Sequence, residues 1–314
     1  MTSETGAVMT VRGPVPAQEL GFILPHEHIY CKLRHADYRY DVPDQFGDED
    51  VMAEEVSAFA ELGGGTIFEL SVPDNGRAPE RLVALSERTG VHVVMGCGWY
   101  RANYYLPEER IDRRPADELA EELIREIVDG VGDTGIRPGV IGEVGSEKTW
   151  VSPAEERVLR AAARAHKATG LAVGALHAVG PVAPEQLTIL EEEDVDMSRV
   201  AVAHCETYPH LEYLLGLLRR GVYLMFDNCG QYRGMGQFEN RILDLIRELI
   251  DRGFEDRLML SHDICKFGQL RIHGGTGFVY LQETFLPALA GKDVPEATIA
   301  TMTRDNPRRW LAGS

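Results

Sequence analysis

The sequence is poor in cysteine, and its five cysteines form no pattern that would build a disulfide framework. They are scattered, odd in number and never spaced as Cys-x-x-Cys. This usage indicates reduced thiols, so we expect a cytoplasmic protein. The opening residues lack the apolar core of a secretory signal peptide. No run of about 18 apolar residues is present, so no membrane-spanning helix is expected.

Basic residues are also scarce, with 32 lysines and arginines against 50 acidic residues and a net charge of −18. Such a surface repels nucleic acid and anionic membranes, which excludes both as expected partners. We expect a small-molecule substrate instead, with a homodimer left open as the assembly. The overall charge says little about that substrate, because a local pocket can oppose the global field.

What the chain does contain is a large apolar fraction, 44%, arranged in eight alternations of a short apolar run with a longer amphipathic segment. Several runs lack polar alternation, which is typical of parallel strands buried on both faces. The predicted strands are 20–28, 66–72, 91–98, 138–145, 171–178, 199–206, 222–229 and 257–265.

The segments between the strands carry helix signals. Residues 238–253 place apolar side chains at helical spacing on one face, with charged residues opposite. Residues 152–170 begin with Ser152 as N-cap and Pro153 in the first turn, and they end at Gly170. A third helix is predicted over 210–221.

Eight strand–helix alternations without an obvious linker favour one closed (β/α)8 barrel, a TIM barrel, spanning residues 1–314 as a single domain. An open, doubly wound parallel sheet is the alternative architecture.

Polar residues stand at the ends of these strands, where the active-site residues of a barrel converge. The first strand carries two such residues, two positions apart, and four further strands carry one each. They are His26 and His28 in strand one, Glu143 in strand four, His177 in strand five, His204 in strand six and Asp263 in strand eight.

The His-Glu-His spacing has a structural reason. Side chains two apart on a strand point to the same side, so His26 and His28 both face the barrel mouth while Glu27 points away. Imidazole and carboxylate together suit zinc, manganese or cobalt better than calcium. Four histidines and two acids exceed the needs of one tetrahedral ion, so two divalent cations are predicted, zinc first.

Simpler interpretations exist for single members of this set. A lone His-x-His is a weak signal, and a histidine such as His177 at a strand end is often only hydrogen-bonded. An acid within an apolar strand, such as Glu143, needs a charged partner or a proton. His262 should point opposite to Asp263 and is interpreted as structural, and Cys205 and Cys265 as core thiols.

The chain resembles the phosphotriesterase family of the amidohydrolase superfamily, in particular its phosphotriesterase homology branch. The resemblance covers essentially the whole chain. It rests on the stretches LPHEHIY, GCGWY, VIGEVG, ALHA, VAHCE, LSHDI, HGGTGFVYLQETFLPAL and NPRRWL, which occur in the order of the family.

The resemblance implies a ligand set for two ions. His26, His28 and Asp263 would hold the more buried ion, whereas His177 and His204 would hold the more exposed one. The bridging position, which is a carboxylated lysine in some members, is Glu143 here.

The resemblance also implies a mechanism, in which a hydroxide bridging the ions attacks the substrate and Asp263 takes its proton. We expect the substrate to be a carboxylic ester, lactone or amide of a small molecule, and a phosphoester such as a phosphotriester is the alternative. A metal-binding or ligand-binding barrel without turnover is the alternative of a different class.

Loops after the strands set the substrate, chiefly residues 99–115, 229–240 and 266–280. Tyr100 resembles a tyrosine that lies near the substrate in lactonase members, or it forms only an aromatic wall. The lactonase branch has an arginine after the aspartate of strand seven, whereas here Asn228 follows Asp227. The candidates for binding an anionic substrate, with solvated loop charges as the alternative interpretation, are Arg233, Lys266, Arg271 and His273.

Overall fold

A computed structural model describes residues 6–33, 44–233, 235 and 237–313, and it contains eight parallel strands arranged around one axis. We number these barrel strands β1 to β8; β4 consists of two short segments. They are β1 (Phe22–Glu27), β2 (Gly64–Glu69), β3 (His92–Cys97), β4 (Val140–Ile141 and Val144–Ser146), β5 (Val173–Ala178), β6 (Val200–Val202), β7 (Tyr223–Phe226) and β8 (Leu258–Leu260). Each overlaps a predicted strand.

The strands follow one another around the barrel in sequence order. Between β8 and β1, backbone hydrogen bonds join the segments just beyond the ladder: Asp263 N donates to His26 O at 3.2 Å, and His28 N donates to Ile264 O at 3.1 Å. The eight strands therefore form a nearly closed barrel, and the predicted (β/α)8 architecture is confirmed.

Side chains along each strand alternate between the barrel interior and the surrounding helices. In β7, for example, Met225 belongs to the inner apolar cluster, whereas Leu224 and Phe226 belong to the cluster beneath the helices. The indole of Trp310 is fully buried in the inner cluster and donates through Nε1 to Arg199 O at 3.1 Å. A C-terminal aromatic thus helps to fill the interior at the end opposite the predicted site.

In the part of the chain that the structure describes, an α-helix follows each of the first seven strands. These helices are α1 (Glu49–Glu61), α2 (Pro79–Thr89), α3 (Ala116–Asp129), α4 (Pro153–Thr169), α5 (Ala183–Glu192), α6 (Leu211–Leu218) and α7 (Phe238–Asp251). As predicted, Ser152 caps α4 by accepting from Glu155 N, and Gly170 ends the helix with a φ of 76°. The helix predicted over 210–221 is shorter, because Gly221 closes a final turn beyond Leu218.

The remaining elements lie outside this alternation. A hairpin of Ala7–Thr10 and Gly13–Pro16 precedes the barrel, and Cys31–Leu33 pairs with Asp44–Phe46 after β1. After β8 the chain forms a π-helical turn (Leu281–Phe285) leading into α8 (Leu286–Ala290), then α9 (Glu296–Ala300), a second π-helical turn (Thr301–Asp305) and α10 (Asn306–Ala312). Among the described helices, none combines the length and the apolar character that crossing a membrane requires.

The interruption in β4 depends on glycine. A Cβ atom on Gly142 would lie 1.4 Å from the carbonyl oxygen of Gly174 on the neighbouring strand β5. Only a residue without a side chain can approach that closely. The chain passes from this tight contact directly to Glu143, whose carboxylate enters the barrel mouth.

Candidate metal centre

The structure brings the six predicted ligands together at the carboxyl ends of the strands. Among the described residues, three groups of potential ligand atoms are close enough to surround an ion. One consists of His26, His204 and Asp227. The other two share Glu143, which lies with His26 and His28 in one group and with His177 and His204 in the other. The sharing of one carboxylate between two histidine pairs is the arrangement that a bridge between two ions requires.

Glu143 lies between the two histidine pairs, and we call these five residues together with Asp263 the cluster. Its Oε1 atom lies 2.8 Å from His177 Nδ1 and 3.3 Å from His204 Nε2. On the other side, His26 Nε2 lies 3.8 Å from Oε1, and His28 Nε2 lies 3.7 Å from Oε2. Glu143 and all four imidazoles are buried.

Asp263 lies beside the His26–His28 pair. Its Oδ1 atom is 3.4 Å from His28 Nε2 and 3.7 Å from His26 Nε2. With 16% of its side chain exposed, Asp263 is more accessible than the other members of the cluster. Asp263 and His204 also have left-handed backbones, with φ of 53° and 58°. Such conformations in residues with side chains occur preferentially at functional sites.

A seventh residue, Asp227, was missed as part of the site by the sequence reasoning. Its Oδ2 atom lies 2.7 Å from His26 Nδ1, and its Oδ1 atom accepts from His204 N at 2.9 Å and lies 3.0 Å from His204 Nδ1. The signal was available, because Asp227 continues the inward alternation of Tyr223 and Met225 and places an acid after an apolar strand. The same reasoning had already selected Glu143.

Ser71, just beyond β2, was missed for a different reason. Its hydroxyl lies 3.0 Å from Nδ1 of His28. A serine after a strand carries no distinctive signal, because the hydroxyl is uncharged and serine is common in loops. Only the packed structure shows that it contacts the ring atom of His28 that faces away from Asp263.

Glu27 and His262 point away from the cluster, as the strand alternation predicted. Glu27 Oε1 accepts from His262 N at 2.9 Å and lies 2.8 Å from His262 Nδ1, and its Oε2 accepts from Ile264 N at 2.9 Å. The other ring nitrogen of His262 accepts from Leu281 N at 2.9 Å. This pair therefore ties the segment after β8 to β1.

Burial and neighbouring charges shift the pKa values of the cluster residues. Burial alone would lower the pKa of His26, but Asp227, Glu143 and Asp263 outweigh it and raise the pKa to about 9. Burial and the neighbouring His204 lower the pKa of His177 to about 4. Burial opposes ionisation of Glu143, yet hydrogen bonds from His177 and His204 keep its pKa well below the usual range. The cluster thus stabilises the ionised form of the Glu143 carboxylate.

The surroundings of the His26 ring nitrogens indicate whether the site suits a cation. In the neutral form of His26, with Nδ1–H donating to Asp227, Nε2 presents a lone pair toward the Glu143 and Asp263 oxygens. Nε2 is buried and has no hydrogen-bond partner among the described residues. A buried acceptor that faces other acceptors is costly unless a cation or a proton lies between them. The donor set of imidazole and carboxylate fits divalent transition metals.

The predicted substrate-binding residues occupy two kinds of position. Tyr100 is buried at the cluster, and its ring centroid is 5.1 Å from that of His177 in an edge-on arrangement. The other four are exposed on loops after β7 and β8: Arg233, Lys266, Arg271 and His273. Arg233 donates to Gly274 O at 3.2 Å, and His273 stacks on Phe267 with ring centroids 3.9 Å apart.

The eight-stranded barrel and the shared-carboxylate histidine cluster at its mouth define the class to which this chain belongs. Residues 6–311 match the phosphotriesterase family, and the chain belongs to that family.

The proteins similar to this chain include hydrolases, as the following comparisons illustrate. The phosphotriesterase homology protein of Escherichia coli is 31% identical over 93% of this chain and 98% of its own length. The N-acetyltaurine hydrolase of Rattus norvegicus is 29% identical over 99% of both chains. The crystal structure of a lactonase from Listeria monocytogenes aligns with a TM-score of 0.90 at 25% identity, covering 97% of this chain and 98% of that one.

Proposed function

We propose that this protein is a hydrolase that depends on two divalent cations and cleaves a carboxylic amide, ester or lactone of a small molecule. The observation that carries this proposal is the convergence of four buried imidazoles on Glu143, with the buried Nε2 of His26 lacking a hydrogen-bond partner among the described residues. Zinc is the first choice of metal for these ligands, with manganese or cobalt as alternatives.

The ligands divide into two sets on either side of Glu143. His26, His28 and Asp263 would hold one ion, and His177 and His204 the other. When bound, the ions would supply Lewis acidity and a nucleophilic hydroxide at neutral pH.

The chain itself would supply orientation and proton transfer. Asp227 fixes the ring of His26 and the backbone of His204 by accepting hydrogen bonds from both. Asp263 is the catalytic candidate, because its carboxylate adjoins the cluster and is partly open to the barrel mouth. A proton accepted there can pass to the leaving group on the open side. Tyr100 would form a wall of the substrate pocket beside His177.

Two relatives support a carbonyl substrate. The rat protein is named for hydrolysis of N-acetyltaurine, an amide, and the Listeria protein is a lactonase. In both reactions the bond broken joins a carbonyl carbon to nitrogen or oxygen. Residues outside the metal ligands would then decide between amide, lactone and ester, as loop residues do in other barrels.

A hydrolysis screen with the purified protein tests this proposal. The protein would be loaded with zinc, manganese or cobalt and assayed with N-acetylated amino acids and aminosulfonates, lactones, aryl esters and a phosphate triester. We expect at least one carbonyl substrate to exceed the triester in kcat/KM and the activity to disappear on chelation. A faster triester would replace the carbonyl assignment with phosphoester hydrolysis, and metal binding without turnover of any substrate would favour a non-catalytic barrel.

A further inference from the structure

One arginine lies at the candidate site although sequence reasoning assigned it no role. Arg101 directly follows Tyr100, and its guanidinium carbon lies 4.7 Å from the Tyr100 ring centroid and 4.8 Å from that of Tyr104. Because the Tyr100 ring packs edge-on against His177, a single aromatic ring separates the guanidinium from a candidate metal ligand.

The ion pair that Arg101 makes is incomplete. Its Nε atom lies 3.3 Å from Glu147 Oε2, yet both atoms are buried and neither has a hydrogen-bond partner among the described residues. The guanidinium donates through Nη2 to the Tyr104 hydroxyl at 3.3 Å, which is a neutral partner. The two side chains are only 19% and 20% exposed. A desolvated pair without aligned hydrogen bonds recovers little of its desolvation cost, and a better-aligned anion would improve it.

The backbone on both sides of Arg101 is held in place by buried acids. Asp74 accepts from Tyr100 N at 3.0 Å, and Glu155 Oε1 accepts from Ala102 N at 3.2 Å. The same Glu155 oxygen accepts from Glu147 N at 2.7 Å, so one carboxylate from α4 fixes both partners of the ion pair. The guanidinium is therefore positioned before any ligand arrives, which lowers the entropy cost of binding.

We propose that Arg101 binds an anionic group of the substrate, a carboxylate or sulfonate placed a short chain away from the reacting carbonyl. This inference rests on the proposed function and narrows it to amides, esters or lactones of small acids. The exposed Arg233 and Lys266 are weaker candidates, because water and salt screen charges at the surface. Arg101 is a binding residue in this proposal and takes no part in proton transfer.

The proposal is tested by comparing two ligands that differ only in the anion. N-acetyltaurine carries a sulfonate, and N-ethylacetamide is the same amide without it. In the metal-loaded protein, we expect Arg101→Met to lower the ratio of their kcat/KM values, acidic over neutral, by about 10- to 100-fold, mainly through KM. Arg101→Lys should give an intermediate loss, because the charge remains and the planar fork is removed.

A matched control is Arg81→Met, since Arg81 also lies over a tyrosine, Tyr30, and pairs with a glutamate, Glu49, away from the cluster. In Arg81→Met, the ratio of kcat/KM for N-acetyltaurine to kcat/KM for N-ethylacetamide should stay unchanged. Glu147→Gln should lower KM for the acidic ligand about 2- to 10-fold, because the substrate anion no longer competes with a carboxylate for the guanidinium.

If Arg101 had only a structural role, its substitution would affect both ligands alike. If Arg101→Met reduced activity on both ligands equally, or if Arg233→Met rather than Arg101→Met changed the ratio, the proposal would be overturned. Calorimetric titration with N-acetyltaurine keeps this question separate from turnover. Binding that is lost in Arg101→Met supports the anion site even if no hydrolysis occurs, whereas equal binding by both proteins removes it.

Discussion

Asp227 Oδ2, just beyond β7, lies 2.7 Å from Nδ1 of His26 in β1, and both residues are fully buried. This contact fixes the imidazole tautomer, so that Nε2 keeps its lone pair for the candidate metal site. His26 and Asp227 are 201 residues apart in the chain, and only barrel closure brings them together.

The first prediction concerns that contact. Asp227→Asn should weaken metal binding by about 10- to 100-fold, because the neutral amide holds His26 and His204 less firmly in the binding tautomer. Competition with a chelator of known affinity measures the change. Ser71→Ala, which removes a neutral contact to His28, should have a smaller effect. Unchanged affinity in Asp227→Asn would show that the aspartate only fills space.

The second prediction concerns the shared carboxylate. Glu143→Gln removes the negative charge between the two histidine pairs, so elemental analysis should find fewer than two ions per chain and hydrolysis should fall. Glu55→Gln is a suitable control, since Glu55 is also a buried glutamate but lies in α1 and accepts from Arg271 N, away from the cluster histidines. Two ions bound to Glu143→Gln would contradict a bridging role.

The third prediction concerns Gly142. An added methyl group would collide with Gly174 O, so Gly142→Ala should lower the free energy of unfolding by about 3 kcal/mol or more, if the variant folds. Urea denaturation measures this loss. Gly216→Ala is the control, because α6 leaves open space at that position and alanine favours helix by about 0.5–1 kcal/mol. Similar midpoints for the two variants would refute the close-contact argument.

The fourth prediction concerns the pH dependence of stability. Burial raises the pKa of Asp74 to about 7, although Tyr100 N donates to it. Because the folded state holds this proton more tightly than the unfolded state, protonation of Asp74 stabilises the fold. This stabilisation is complete below about pH 4 and disappears as the pH rises through 7. Between pH 5 and pH 8 the loss should be on the order of 2–3 kcal/mol.

Asp74→Asn should remove that pH dependence, because the amide carries no titrating proton and can still accept from Tyr100 N. Denaturant midpoints of variant and parent, compared at each pH, isolate the effect, since both share the same metal site. The exposed Asp112→Asn changes the net charge equally and should follow the parent. Parallel curves for Asp74→Asn and the parent would mean that the carboxyl is ionised throughout this range.

Much of the fold and the candidate ligand set could be predicted from the sequence. The eight apolar runs predicted eight parallel strands, because period and length are local properties that the chain displays directly. His26, His28 and Glu143 could be selected because polar residues in buried strands need partners, and the ends of parallel barrel strands share one mouth.

Other features were decided only by tertiary structure. The sequence contains Asp227, but its bonds to His26 and His204 join three different strands. The sequence also could not show which charged loop residue is buried, because spacing along the chain says nothing about burial. Arg101 is desolvated between aromatic rings and a glutamate, whereas Arg233 is exposed, because packing around β3 and β4 encloses one and not the other. Sequence periodicity determines which way a strand residue points, but partners distant in the chain determine what it meets there.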